Sequence, residues 1–398
     1  MITVKDADNI ISRSVPAFGT EMVGIDKAYG RVLQENIFAD RDLPPFDKAL
    51  MDGIAVKYES FKKGIREFKI EGVQAAGQAQ KKLRSVNSCF EIMTGAVVPH
   101  GCDCVIPIEN VRIESKIATV KNNVSPQQNI RYQGSDHRRG EKLLSKETIL
   151  LSPQLAIVAS VGKTQIKVTR KPGVAVISTG DEIVPINKSD IRPFEIRQSN
   201  SHFIKWALDQ THLFESTIFH FQDNKKLLLN KIKNILKRFD ILVLTGGVSM
   251  GKFDYVPQVL KELGVKVLFH KVKQRPGKPF WFGKRGSKIV FALPGNPVST
   301  QIGTYRYVIP QLKKSAGVSD NPELAVLKKE FKSTSDFTIF LPVKIRSNKQ
   351  AQLEATAILT GGSGDFGSLG NSDGFIELPA GPKILKAGFV GQIYRWQL

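Results

Sequence analysis

Strand and helix patterns alternate between residues 172 and 322, and few architectures accommodate that order. Gly173-Val-Ala-Val-Ile-Ser is an unbroken apolar run followed by a Thr-Gly loop, the pattern of a buried parallel strand. Further along the chain, a helix is predicted to begin at Asp223. Its apolar face consists of residues at spacings of four, three and four, namely Leu228, Ile232, Ile235 and Phe239.

The rest of this region continues the alternation. Helices are predicted at 196–211 and 256–263 and from about 298, and strands at 215–220, 240–245, 266–269 and 288–293. Strands that alternate with helices in this way predict a doubly wound α/β domain with a parallel sheet. A ligand of such a domain lies at the carboxyl ends of the strands, where the loops gather.

Shorter strand patterns flank the α/β region on both sides. Residues 45–140 alternate short apolar runs with Gly, Asn and Ser, which predicts a small β domain. Short strand patterns occur again from about residue 323 and predict a second small β domain. Residues 1–44 indicate a helix and then a polar, turn-rich segment. A length of 398 residues suits about two to four domains, so we expect a multidomain chain of α/β and β domains.

The composition favours anionic partners but does not identify a particular one. Lys and Arg number 58 and Asp and Glu 37, a formal net charge of +21 that attracts anions. Nucleic acid, phosphate-bearing metabolites, oxyanions and acidic lipids all suit this charge, and so does a lysine-rich surface kept for solubility. Three cysteines form no disulfide framework, and neither a signal peptide nor a membrane-spanning run is evident. We therefore expect a soluble, cytoplasmic protein.

Two polar loops that follow predicted strands carry candidate ligand-binding groups. Asp181 and Glu182 are adjacent carboxylates that suit Mg²⁺ beside a phosphate, although a helix N-cap also explains such acids. In the second loop, Gly246 and Gly247 let the backbone approach a ligand, and successive N–H groups cradle an oxyanion. The same loop adds the Ser249 hydroxyl and the Asp254 carboxylate.

A third loop and a proline-rich segment add anion-binding groups. Asn296 and Ser299 stand at a predicted helix N-terminus, a favourable place for an anion. Arg275 and Lys278 lie in Arg-Pro-Gly-Lys-Pro, where the prolines restrict the loop. A stiff loop suits anion binding, and a solvated lysine explains Lys278 equally well. Three such loops at one sheet edge favour a functional site there.

Two other features carry little functional weight. Zinc sites usually need four ligands and wider spacing than the Cys-x-Cys pair offers, and no histidine has metal-ligand spacing to another. The cysteines concerned are Cys89, Cys102 and Cys104. The basic helix at 225–238 lacks interleaved aromatic residues and any nucleic-acid-binding motif, which favours a solvated helix face.

Eight stretches, taken together and in order, resemble one known family over essentially the whole chain. They include Val176-Ile-Ser-Thr-Gly-Asp-Glu-Ile and Leu293-Pro-Gly-Asn-Pro-Val-Ser. The full set is 45–56, 93–101, 134–141, 176–183, 199–201, 245–255, 276–279 and 293–299. The family that they resemble is the molybdopterin molybdotransferases, MoeA and the E domain of gephyrin.

The resemblance implies an architecture and an activity. It implies a central linker domain at 1–44 and 141–171, an inserted β domain at 45–140, an α/β molybdopterin-binding domain at 172–322 and a C-terminal β domain at 323–398. The implied reaction inserts molybdenum from molybdate into adenylated molybdopterin with Mg²⁺ and releases AMP. The implied partners are a second copy of the chain, which shares the active-site cleft, and the molybdopterin adenylyltransferase. Neither nucleic acid nor a membrane is implied.

The resemblance also assigns roles to individual residues. The implied catalytic residues are Asp52, Thr94, Asp136, Glu182 and Asp254. The implied substrate-binding residues are Gly246, Gly247, Ser249, Arg275, Lys278, Asn296, Ser299 and Ser363. The implied metal ligands are Asp181, Glu182, Asp223 and Asp254, and of these Asp223 is also explained as an N-cap.

Two segments depart from the family pattern. Lys48-Ala-Leu replaces the Asn-Ser-Ala of many members, and the segment at 336–342 lacks a Gly-Arg pair and a strand arginine. These changes leave a non-catalytic pterin-binding scaffold as one alternative function. A related enzyme of the molybdopterin adenylyltransferase type is another, which the inserted and C-terminal β domains disfavour.

Overall fold

The computed structural model describes residues 1–248, 254–318, 321–358, 362, 364–365 and 367–397. The chain divides into two units. The large unit comprises Met1–Glu35, Lys146–Ser152 and Gln165–Leu398, and the small unit comprises Asn36–Ser145 and Pro153–Thr164. The four domains expected from the sequence are a finer division, and their boundaries stay a prediction.

A six-stranded sheet forms the centre of the large unit. Its strands follow the order Glu215–Phe221, Gly173–Thr179, Ile241–Thr245, Lys288–Leu293, Trp281–Arg285 and Lys266–His270. The first four are parallel, as predicted for a doubly wound domain. Side chains alternate between the two faces of a strand. Val174 and Val176 accordingly join one apolar core, and Ala175 and Ile177 join the other.

The last two strands of this sheet depart from the predicted parallel arrangement. Trp281–Arg285 pairs antiparallel with both Lys288–Leu293 and Lys266–His270. Only Gly286 and Ser287 separate the first two of these strands, and a parallel connection needs a crossover of about a dozen residues. Gly286 adopts a φ of +57°, which a tight hairpin turn favours.

Helices cover both faces of the sheet, as a doubly wound fold requires. On one side lie Asn200–Asp209, Pro297–Gly303, the π-helix Thr304–Val308 and Ile309–Ser315, and on the other Lys225–Arg238 and Val256–Glu262. The helix predicted at 196–211 begins only at Asn200, because Ile196–Arg197 pairs as a short strand with Ile183–Val184. No helix of the described ranges has the length and apolar character needed to cross a membrane.

The predicted C-terminal β region is a closed barrel. Its sheet follows the order Gln274–Arg275, Thr338–Ser347, Leu353–Ala357, Glu323–Leu327, Val390–Arg395 and Gly374–Leu378. Thr338–Ser347 also pairs with Gly374–Leu378, and this pairing closes five strands into a barrel. Gln274–Arg275 comes from the α/β region and pairs with the start of Thr338–Ser347. Phe331–Ser333 and Lys383–Leu385 form a separate two-stranded ladder, and Gly367–Asn371 is a 3₁₀ helix.

The N-terminal segment begins with a capped helix. Thr3 and Asp6 form a capping box at the start of Val4–Ser14 and satisfy N–H groups that the helix itself leaves unpaired. Thr20–Gly24 then pairs antiparallel with Gln165–Thr169. This ladder brings together the two segments expected to form a linker domain. The 3₁₀ helix Ile25–Lys27 follows the first of these strands.

The small unit contains the inserted β region. Its six strands follow the order Cys104–Pro107, Gly53–Val56, Ser88–Ile92, Glu67–Gln74, Ile117–Val120 and Val111–Glu114. Two short ladders join Ile37–Phe38 with Lys142–Leu144 and Lys48–Ala49 with Ile130–Arg131. The remaining elements are the helices Tyr58–Lys62 and Ser152–Ser160, which begins at the unit boundary, and the 3₁₀ helix Ile108–Asn110.

Arg306, in the π-helix, links three segments of the large unit. Its Nη1 and Nη2 donate to the two carboxylate oxygens of Asp8 at 2.8 Å each, and its Nε donates to Glu377 at 2.7 Å. Burial opposes the charge of Arg306, but its bonds to Asp8 and the surrounding charges raise its pKa. The N-terminal helix, the π-helix and the barrel are therefore joined through one guanidinium.

Candidate active site

A cleft of about 1460 Å³ opens in the large unit at the carboxyl ends of the parallel strands. One wall consists of three strand-end loops, which contribute Ser178–Thr179, Thr245–Gly247 and 294–299. A second wall comes from residues between 331 and 342, in the ladder strand Phe331–Ser333 and the first half of the barrel strand Thr338–Ser347. The three loops that the sequence singled out therefore meet in one cavity.

Three of the predicted carboxylates line this cleft: Glu182, Asp223 and Asp254. Asp181 is not among the residues that line the cleft. Its Oδ1 accepts a hydrogen bond from the backbone N–H of Asp223 at 3.1 Å. The Glu182 carboxylate folds back over Gly180, where an added Cβ would lie 2.6 Å from its Oε2. Glu182 therefore occupies space that only a glycine leaves open.

Asp223 is not the cap of the helix that follows it. Asn224 is the N-cap of Lys225–Arg238, and its side chain accepts a hydrogen bond from the N–H of Leu227. The N-cap explanation of Asp223 is therefore wrong. Burial, and then the negative charges of Asp181 and Glu182, raise the pKa of Asp223 to about 6. The carboxylates are close enough to repel one another.

Cations line another part of the same cleft. Arg275 and Lys278 are both exposed there, and the Lys278 ammonium lies 5.6 Å from the centre of the Phe337 ring. Arg197 and Lys332 also line the cleft, although no local pattern in the sequence indicates either of them. The positive charge needed to bind an anion therefore comes from three separate segments.

Polar groups between the loops complete the wall. Asn200 Nδ2 donates to the carbonyl of Gly295 at 2.7 Å and to the Thr245 hydroxyl at 3.2 Å, which joins two of the loops. Asn296 is the exposed N-cap of Pro297–Gly303, and Ser299 is buried in that helix. The role of Asn200 was missed in the sequence, although 199–201 is one of the stretches that carry the family resemblance.

The glycine-rich loop has no room for side chains. Gly246 adopts a φ of +89°, and a Cβ there would lie 2.7 Å from the backbone oxygen of Thr179.

We expect Gly246→Ala to lower the free energy of unfolding by about 2 kcal/mol, through backbone strain and this clash. Urea unfolding measures that loss. Gly286→Ala is the control, because no atom lies within 4 Å of its added Cβ although φ is also positive. Equal losses in the two variants would show that the Thr179 contact is unimportant.

The small unit holds the other predicted site residues. Asp52 Oδ1 accepts hydrogen bonds from the N–H and hydroxyl of Thr94 at 2.6 and 2.8 Å, and these bonds lower the pKa of Asp52. Asp136 accepts a hydrogen bond from Arg131 at 2.8 Å, which lowers its pKa. The structure thus brings Asp52 and Thr94 together and pairs Asp136 with Arg131. Ser249 and Ser363 lie outside the described residues.

Comparison with known proteins shows which family the chain belongs to. Residues 2–162 match the family model of the MoeA N-terminal region (domain I and II), 175–314 that of a probable molybdopterin binding domain, and 325–395 that of the MoeA C-terminal region (domain IV). The molybdopterin molybdenumtransferase of Synechocystis sp. is 36% identical over 400 residues, with 100% of both chains covered. That of Staphylococcus epidermidis is 32% identical and covers 97% of this chain and 94% of its own.

A solved structure agrees with these matches. The crystal structure of the molybdopterin biosynthesis MoeA protein from Pyrococcus horikosii has a TM-score of 0.82 at 30% identity, covering 100% of this chain and 99% of that one. The fold and these matches together define a multidomain protein whose α/β domain matches the family model of a probable molybdopterin binding domain. The chain belongs to the MoeA family.

Proposed function

We propose that this chain is a molybdopterin molybdenumtransferase, which inserts molybdenum from molybdate into adenylated molybdopterin and releases AMP. The observation that carries the proposal is one cleft lined both by Glu182, Asp223 and Asp254 and by Arg275 and Lys278. Both reactants are anions, and the reaction separates a nucleotide phosphate from the pterin. Relatives that carry this enzyme name are 30–36% identical to nearly the whole chain.

The cations and the backbone supply substrate binding. Arg275 and Lys278 bind phosphate or molybdate oxygens through charge-assisted hydrogen bonds, which are stronger than neutral ones. Gly246 and Gly247 line the cleft, where a ligand's phosphate can approach the backbone closely, although the Gly246 N–H itself donates to the carbonyl of Leu293 at 3.3 Å. Asn296 presents a polar side chain at the same strand ends. These groups orient the substrate and neutralise part of its negative charge.

The acidic groups suit Mg²⁺ that is shared with the substrate. Within the described residues, no three His, Cys, Asp or Glu side chains converge to form a complete metal site. Mg²⁺ usually takes only one or two carboxylates and completes its shell with water and phosphate oxygens. Glu182 and Asp254 would hold it, with Asp223 and Asp181 adding negative charge. When bound, it neutralises charge on the phosphate that leaves with AMP.

The decisive experiment measures AMP and molybdenum cofactor together. With adenylated molybdopterin, molybdate and Mg²⁺, the full chain is expected to form both products, and removal of Mg²⁺ with EDTA is expected to abolish both until Mg²⁺ is restored. A reaction without molybdate is the control for cofactor formation. Tight pterin binding with no AMP release would instead indicate a scaffold. Pyrophosphate formation from ATP would indicate an adenylyltransferase.

We further infer from the resemblance that the protein is a cytoplasmic homodimer that receives its substrate from the molybdopterin adenylyltransferase. Asp52, Thr94 and Asp136 stay predicted catalytic residues on the same ground. Ser249, Ser299 and Ser363 stay predicted substrate-binding residues. The four domain boundaries given above are proposed with them.

A further inference from the structure

The loop that carries Arg275 and Lys278 rests on a buried side chain, Gln274. The Gln274 side-chain Nε2 donates to the backbone carbonyl of Gly277 at 3.1 Å and lies 3.4 Å from that of Pro276. A Cβ on Gly277 would lie 2.8 Å from the same Nε2, so the loop packs directly against the amide. Gln274 is only 2% exposed. The path of the loop therefore follows the orientation of this amide.

Tyr307 fixes the orientation of the Gln274 side-chain amide. Its hydroxyl donates to Gln274 Oε1, and the residue has no exposed surface. Because Oε1 accepts from Tyr307, Nε2 must point toward the loop. Burial raises the pKa of Tyr307 well above its ordinary value, so the hydroxyl stays protonated and remains a donor.

The π-helix holds Tyr307 in place. All five residues of Thr304–Val308 are buried, and π-helical segments are frequent at functional sites. The Tyr307 ring packs against Phe280, with ring centres 4.9 Å apart, and the Arg306 guanidinium lies 4.9 Å from its centre. The ring is therefore fixed on two sides, and its hydroxyl meets Gln274.

We propose that Tyr307 and Gln274 are positioning residues that hold the Arg275–Lys278 loop so that Lys278 meets the anionic substrate. This inference rests on the proposed function and assigns a role to two residues that do not themselves supply charge. Removal of the Tyr307 hydroxyl leaves Gln274 Oε1 buried without its donor. The amide then loses its fixed orientation, and the loop loses its support.

Tyr307→Phe tests this role, and Tyr305→Phe is the matched control. Tyr305 is also buried in the π-helix, but its hydroxyl donates to the carbonyl of Trp396 at 2.6 Å. We expect Tyr307→Phe to raise the KM for adenylated molybdopterin about tenfold, with kcat within about twofold of the parent. Tyr305→Phe should leave KM unchanged, although it should lower the thermal stability about as much as Tyr307→Phe does. Equal KM values in the two variants would overturn the inference.

A double-mutant cycle shows whether Tyr307 acts through Lys278. We expect Lys278→Ala to raise KM, and the addition of Tyr307→Phe to raise it little further. Full additivity of the two changes would mean that Tyr307 acts on KM by another route and would overturn the proposal.

Hydrogen exchange in the full chain separates this inference from the proposed function. Backbone amides between 273 and 281 should exchange about fivefold faster in Tyr307→Phe than in the parent or in Tyr305→Phe, with no substrate present. Unchanged exchange would overturn the positioning role even in an active enzyme. Failure of the parent chain to release AMP would overturn the proposed function, and the exchange result would still decide whether Tyr307 positions the loop.

Discussion

Glu182→Gln is expected to lower the rate of AMP release about 100-fold, an effect of about 3 kcal/mol on the barrier. The Glu182 carboxylate lies over Gly180 in the cleft, in the same acidic group as Asp223 and Asp254. Glutamine preserves its shape and removes its charge, so the site loses a carboxylate proposed to hold Mg²⁺ beside the phosphate. AMP release at saturating substrate, measured over a range of Mg²⁺ concentrations, reports the loss.

A surface glutamate provides the control for this charge change. Glu262 pairs with Lys225 at 2.7 Å, and neither residue lines the cleft. Glu262→Gln should keep the parental rate and the parental Mg²⁺ dependence. A Glu182→Gln enzyme that turned over at more than about one third of the parental rate would remove Glu182 from the proposed chemistry. Unchanged circular dichroism in both variants would show that the fold is intact.

Arg306→Met is expected to lower the free energy of unfolding of the large unit by about 3 kcal/mol. Methionine fills much of the same space but leaves Asp8 and Glu377 without their shared cation. The Arg306 side chain is 10% exposed, whereas those of Asp8 and Glu377 are 31% and 23% exposed. Water reaches the two acids in part, so the loss falls at the lower end of the range for broken buried pairs.

Tryptophan fluorescence during urea unfolding measures this loss. All three tryptophans, Trp206, Trp281 and Trp396, belong to the large unit, so their signal follows that unit. Arg395→Met is the control, because Arg395 makes an equally close bidentate pair with Glu323 but lies near the surface. Its loss should stay below about 1 kcal/mol. Equal losses in the two variants would show that burial does not determine the strength of the Arg306 contacts.

Local patterns predicted the parts of the fold that depend on local chemistry. The apolar run at Gly173 and the helix face of Leu228, Ile232 and Ile235 are buried as expected. The loops at the strand ends meet because parallel strands bring their carboxyl ends to one edge. The antiparallel hairpin at Gly286 was not predicted, because its first strand, Trp281–Arg285, was not among the predicted strands.

Long-range contacts were beyond a local reading of the sequence. Arg306 and Asp8 are 298 positions apart, and neither lies in a stretch that signals the other. Arg197 and Lys332 reach the cleft from two separate short strands, Ile196–Arg197 and Phe331–Ser333, which lie far apart in the chain. Only the folded chain shows that these charges share one space.

The short strand Gln274–Arg275 belongs to the sheet of the barrel although its neighbours in the chain belong to the α/β region. Its pairing with Thr338–Ile339 joins the loop that carries Arg275 to a barrel strand that also lines the cleft. A movement of the barrel relative to the parallel sheet must therefore either carry Arg275 with it or break this pairing. Any such movement of the barrel therefore also changes the position of a cation that lines the cleft.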